Sequence, residues 1–172
     1  THDHLLFFTN LGKVHMIKAY EIPEGSRTAK GIPIVNFIPL MSMERVTAVI
    51  RLDESEANRF LICVTKQGTI KKTALTEFIT NRKTGLIAIK LKEGDELIGV
   101  KQTTGEDNII IVTREGKCIS FSEDDVRPMG RIAGGVRAIK LEAKDEVVSM
   151  ELTRPEQELM VVTKKGFGKR TR

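Results

Sequence analysis

Lysines and arginines cluster in this chain at places set by a recurring glycine. Lys71-Lys72 with Arg82-Lys83, and Lys169-Arg170 with Arg172, all follow such a residue. Residues 13–31, 69–85, 117–135 and 167–172 together hold fourteen Lys and Arg against six Asp and Glu; everything else holds fourteen against seventeen. Cations repeated at one place in a structure form a band that neutralises phosphates and releases their counterions, chemistry that needs no particular base sequence. Composition alone leaves a solvated charged face as the alternative. The third segment nets zero, because Glu123, Asp124 and Asp125 offset Lys117, Arg127 and Arg131. Arg131 and Arg137 nevertheless flank Gly134-Gly135, where a backbone without side chains approaches a phosphate closely. Adjacent Lys71 and Lys72 point to opposite faces of a strand, so only one of the pair is expected in the best position.

Other reactive residues lack the neighbours that their chemistry needs. Gly166-Phe-Gly-Lys-Arg-Thr171 does not have the spacing of a phosphate-binding loop, and Gly130 to Gly135 lies between strands with no helix to hold an anion. Tyr20, the single tyrosine, has no visible base or metal cluster to activate it. His2-Asp-His4 is a terminal segment without further ligands nearby, and Cys63 and Cys118 form no C-x-x-C pair, so they read as free thiols. The expectation is a non-catalytic chain with no cofactor and no metal.

The elements that position the bases follow from a repeat. Thr-x-x-Gly occurs at Thr9–Gly12, Thr65–Gly68, Thr113–Gly116 and Thr163–Gly166, with glycines 56, 48 and 50 residues apart. Short apolar runs precede each copy, among them Phe60-Leu-Ile-Cys-Val64 and Ile109-Ile-Ile-Val112. They read as buried strands, and the glycine as the positive-φ residue of a hairpin turn. An acid and an apolar residue then mark a corner at Glu21-Ile22, Glu77-Phe78 and Asp125-Val126; Ser122-Glu-Asp-Asp125 has capping-box spacing. From second glycines at Gly31, Gly85 and Gly135 a third strand is expected over 32–38, 86–91 and 136–141. A charged turn then opens a fourth at 44–50, 95–100 and 145–150.

Four strands per unit of about 50 residues predict an all-β, propeller-like ring of blades. The units are 1–54, 55–106, 107–156 and a truncated 157–172, all parts of one domain. Since such rings close with about four to eight blades, the chain reads as an incomplete ring, an arc of something larger. No apolar run reaches the roughly 18 residues of a membrane helix, and no signal-peptide pattern opens the chain. The absence of Trp argues against a protein-docking propeller with Trp-Asp blades. One Tyr and few free aromatics argue against single-strand stacking.

Three runs carry a resemblance to a known family: residues Tyr20 to Asn36, Arg127 to Arg137, and Gly166 to Thr171. They resemble the C-terminal domain of the bacterial DNA gyrase A subunit, and the likeness extends over essentially the whole chain. It implies a β-pinwheel whose basic outer rim binds and wraps duplex DNA in service of negative supercoiling by a type IIA topoisomerase. It also implies a cytoplasmic, nucleoid-associated setting. The implied partners are the remainder of the A subunit together with the B subunit of an A2B2 enzyme, with the catalytic tyrosine and ATPase outside this chain. Carried over residue by residue, the rim comprises Lys71, Lys72, Lys169 and Arg170, then Arg27, Lys30, Arg82, Lys83, Arg131 and Arg137. His15-Met16 and Ile119-Ser120 depart from the basic pair, so those two units are expected to grip less through the hairpin. The family's heptapeptide Q-R-R-G-G-K-G is absent; Arg131-Ile-Ala-Gly-Gly-Val-Arg137 keeps its glycine pair and flanking bases. The C-terminal domain of topoisomerase IV, which shares the fold and positions the transported DNA segment, is the alternative.

Overall fold

The computed structural model describes residues 3–52, 58–79, 85–154 and 156–171. Each Thr-x-x-Gly closes a hairpin: β1 (His4–Thr9) with β2 (Lys13–Lys18), β4 (Phe60–Thr65) with β5 (Thr69–Ala74), β8 (Asn108–Thr113) with β9 (Cys118–Ser122), and β12 (Leu159–Val162) with β13 (Gly168–Thr171). The threonine is there for two acceptors. In the second repeat its carbonyl takes the Gly68 amide at 3.0 Å and its hydroxyl takes the Thr69 amide at 3.2 Å, and the third and fourth repeats make the same pair of bonds. The expected corners are 3₁₀ turns at Ala19–Glu21, Leu75–Phe78 and Glu123–Asp125, with Phe78 and Val126 buried behind them.

The inner strands β3 (Val46–Leu52), β7 (Leu97–Thr103) and β11 (Val147–Thr153) pair with β1, β4 and β8, and pack in succession. A buried acid at the start of each ties it to the neighbouring turn. Asp145 Oδ1 accepts the amides of Glu115 and Glu146 at 3.1 and 2.9 Å, and Asp95 does the same for Gln67 and Glu96. Burial pushes the Asp145 carboxyl up, but hydrogen bonds from Thr113, Glu115 and Glu146 outweigh it and hold it below the ordinary carboxylate range.

The third strands differ from expectation. Residues 34–36 form a 3₁₀ turn, and only Leu86–Ile87 (β6) and Val136–Arg137 (β10) are strand. Those two short strands join the sheet of the preceding repeat. The sheet orders are β3-β1-β2-β6 and β10-β5-β4-β7, so a sheet is not one contiguous sequence unit and the boundaries at 54 and 106 cut across sheets. Beyond each short strand the chain turns inward: Ala88 N donates to Gly12 O at 2.8 Å, and Ala138 N to Gly68 O at 2.8 Å. Gly68, at φ 78°, has Ile139 so near that a Cβ would stand 2.9 Å from its Cγ2.

Two apolar cores lie between successive sheets. One gathers Leu6, Phe8, Leu61, Phe78 and Leu97; the next gathers Ile62, Val64, Ile109, Ile111 and Val126. The third sheet, β11-β8-β9, and the last hairpin are separated by a cleft of about 1200 Å³ lined by Ile110, Cys118, Leu152 and Leu159. The sheets form an open arc.

Candidate nucleic-acid interface

The ten basic residues fall into distinct environments. Arg27 and Lys30 are exposed on residues 23–31, a segment pinned by a turn in which Ala29 N donates to Ser26 O at 3.0 Å. Arg137 is exposed on β10, opposite Thr69. Arg131 is half-buried, and its Nη1 donates to Ile87 O at 3.0 Å, one bond of a guanidinium that carries five N–H donors. Lys169 and Arg170 are exposed on β13, and Arg170 Nε pairs with Glu158 at 2.6 Å. Arg82 and Lys83 lie outside the described residues.

Lys71 and Lys72 correct the expectation of a surface pair. The strand does send them to opposite faces, but both faces are covered, with 0% and 4% of the residues exposed. Lys71 Nζ donates to the carbonyls of Ala88 and Arg131, with Gly130 O at 3.5 Å. Burial pushes its pKa down to about 8; Cys63 and Glu77 oppose that fall and Arg131 adds to it. Lys72 Nζ meets Glu123 Oε1 at 2.8 Å and stands 4.5 Å over the Phe60 ring. Neither ammonium reaches solvent, so neither is available to a phosphate in this arrangement.

Much of the cover comes from the third repeat. Pro128 bridges to Lys72, Met129 N donates to Lys72 O at 2.8 Å, and Val136 and Arg137 pair with Ile70 and Thr69. Four of the ten residues, Lys71, Lys72, Arg131 and Arg137, are therefore assembled around β5, with two inside and two at the surface. Glu123 is no surface acid offsetting nearby bases. It is fully buried, and it also accepts from Thr103 Oγ1 and Asp107 N, both at 3.1 Å.

Two lysines at the same surface were missed. Lys90 and Lys140 each stand five residues beyond a second glycine, both are exposed, and Lys90 N donates to Ala133 O at 3.3 Å, beside the 130–135 loop. Their signal was available: they align when the repeat is measured from Gly85 and Gly135, whereas measurement from the turn glycine places them outside the basic segment. In the first repeat the corresponding residue is Asn36. Among the described residues no group of three His, Cys, Asp or Glu is placed to hold a metal. No described helix is long and apolar enough to cross a membrane.

The chain is 48% identical over 171 residues to the DNA gyrase A protein of Salmonella typhimurium and 46% identical to that of Escherichia coli K12. Each match covers 99% of this chain and 20% of the relative, so the chain spans about a fifth of the length of these curated relatives. Two solved structures have the same architecture. The C-terminal domain of a DNA topoisomerase IV superposes with a TM-score of 0.91 at 31% identity, over 98% of this chain and 53% of that one. A DNA gyrase A C-terminal domain superposes with a TM-score of 0.80 at 28% identity, over 99% and 54%. The family described as the DNA gyrase C-terminal domain, beta-propeller, matches residues 3–37, 59–104, 107–154 and 157–172, and the chain belongs to that family.

Proposed function

We propose that this chain binds duplex DNA through its phosphates, without sequence preference, and bends it along the outer surface formed by the loops before and after each second glycine. The observation that carries the reading is the recurrence of exposed bases on those loops: Arg27 and Lys30 in the first repeat, Lys90 in the second, and Arg137 and Lys140 in the third. Arg131 adds a guanidinium held at the seam between repeats. Lys71 and Lys72 are withdrawn from the contact set, and Lys169 and Arg170 stay in it as exposed residues of the last hairpin.

Within a gyrase the role is to hold a curved DNA segment, so that strand passage by the rest of the A subunit, with the B subunit in an A2B2 enzyme of the bacterial cytoplasm and nucleoid, introduces negative supercoils. The chain itself is non-catalytic in this reading and uses no cofactor. Bending 20–30 base pairs by 40–90° costs roughly 1–6 kcal/mol, which several phosphate contacts offset. The topoisomerase IV alternative draws on the closer superposition, but the higher sequence identity to gyrase A favours the gyrase assignment.

Titration of linear duplexes of two unrelated sequences at 50 and 200 mM salt tests the binding. The expected result is an affinity that falls by about a thousandfold or more across that range, as it does for roughly six phosphate contacts, and differs little between sequences. An affinity indifferent to salt would sink the reading.

A further inference from the structure

We infer that Lys71 is a positioning residue: from inside the protein it holds the apex of the 128–137 loop, and so sets where Arg131 meets a phosphate. The inference rests on the DNA-binding reading and assigns Lys71 a part in it without contact to DNA.

An ammonium has three N–H donors and no acceptor, and all three neighbours of Lys71 Nζ are main-chain carbonyls, those of Ala88, Gly130 and Arg131. These belong to two repeats, so one side chain of β5 joins the 88 segment of its own repeat to the 130–131 segment of the next. Among the described residues no carboxylate forms an ion pair with it, and Glu77 acts on it only through space. A lysine fully removed from water in this way is an expensive means of closing a seam that apolar packing would fill, and its specific effect is to fix the direction of the carbonyls it collects.

The loop has other anchors, but they lie toward its ends. Pro128 and Met129 are held on Lys72, and Val136 and Arg137 are paired with β5. Gly135 lies so close to the strand that an added Cβ would stand 2.5 Å from Ile70 O. Between these ends, Gly130 to Ala133 form a turn closed by Ala133 N on Gly130 O at 3.0 Å, with Arg131 and exposed Ile132 at its tip. At this tip the Arg131 carbonyl is held by Lys71 and its guanidinium by Ile87 O, so the two bonds fix the residue at both ends. The other repeats show that the position is free to vary. Three residues past the turn glycine stand His15, Lys71, Ile119 and Lys169, so the fold does not require a cation there.

The test uses Lys71→Met, which keeps the length and apolar stem but removes the donors, with Arg131→Ala and the double variant. Hydrogen exchange of peptides spanning 128–137 is expected to speed up about tenfold or more in Lys71→Met, while β4 is unchanged. Duplex affinity at low salt should fall about three- to tenfold, and the loss should be strongly non-additive with Arg131→Ala, since both remove the same contact. Unchanged exchange in the loop, or losses that simply multiply, would overturn the assignment. If Lys71→Met does not fold, Lys71→Gln, which retains an amide donor, is compared by the same cycle under the same criteria. Failure of the intact chain to bind duplex would overturn the DNA-binding reading and this assignment together, whereas binding with unaltered exchange in the variant overturns this assignment alone.

Discussion

At the scale of single residues, Lys72 and Glu123 form a pair almost without solvent, with 4% and 0% of their side chains exposed. Burying two charges is repaid only when the remaining lone pairs and protons are satisfied, and here Thr103, the Asp107 amide and the Phe60 face supply that. Removing one partner strands the other, so Lys72→Met is expected to cost about 3–5 kcal/mol in denaturant-induced unfolding, with Lys72→Met/Glu123→Gln costing less than the sum of the two single changes. Lys71 gives a pH signature of the opposite kind to an ion pair. Its folded pKa is about 8 against an ordinary 10.5, so the unfolded chain keeps a proton that the folded chain gives up. Its contribution therefore makes stability rise as pH increases from about 8 toward 10.5, a slope that should flatten in Lys71→Met when melting is followed across that window. The sequence made the opposite orientation of these two lysines legible through strand periodicity. It did not show that both sides are covered, because the covering groups lie 17 to 60 residues away.

At the scale of elements, the Thr-x-x-Gly turns were readable because their cause is local: a threonine, a positive φ and two hydrogen bonds within five residues. The third strands were over-read. The adjacent apolar residues Ala88 and Ile89 are both buried, against the neighbouring repeat's turn glycine and not within a ladder. Periodicity reports burial and is silent on what does the burying. The exchange of short strands between repeats predicts unequal glycines. A Cβ added to Gly135, at φ 84°, would stand 2.5 Å from Ile70 O, whereas one added to Gly116, at φ 82°, would meet nothing within 4 Å. Gly116→Ala should cost only the roughly 1–2 kcal/mol of a left-handed backbone. Gly135→Ala should cost about 1–3 kcal/mol more through overpacking, and should release the edge of β5. Thermal melting of the two variants gives the comparison; equal shifts would mean that β10 does not dock as described.

At the scale of the whole molecule, charge is used in two ways that the net value of +5 conceals. Arg45, Glu96, Lys66, Glu146 and Arg114 form an alternating run across three repeats, with Arg45–Glu96 at 2.6 Å and Lys66–Glu146 at 3.1 Å joining one repeat to the next. Those cations are already matched by carboxylates, and Lys71 and Lys72 are sealed inside, so the groups proposed to meet a polyanion are the exposed bases beside the second glycines, with Lys169 and Arg170 of the last hairpin. Counterion release counts only cations that meet phosphates: each such contact lowers the slope of log affinity against log salt by about 0.9. Arg137→Ala and Lys140→Ala are therefore each expected to weaken duplex binding at low salt and to make that slope shallower by about one. Arg45→Ala, which removes the same charge from the braced run, should leave the slope unchanged. Equal slope changes for all three would mean that DNA responds to total charge and not to the surface these loops build.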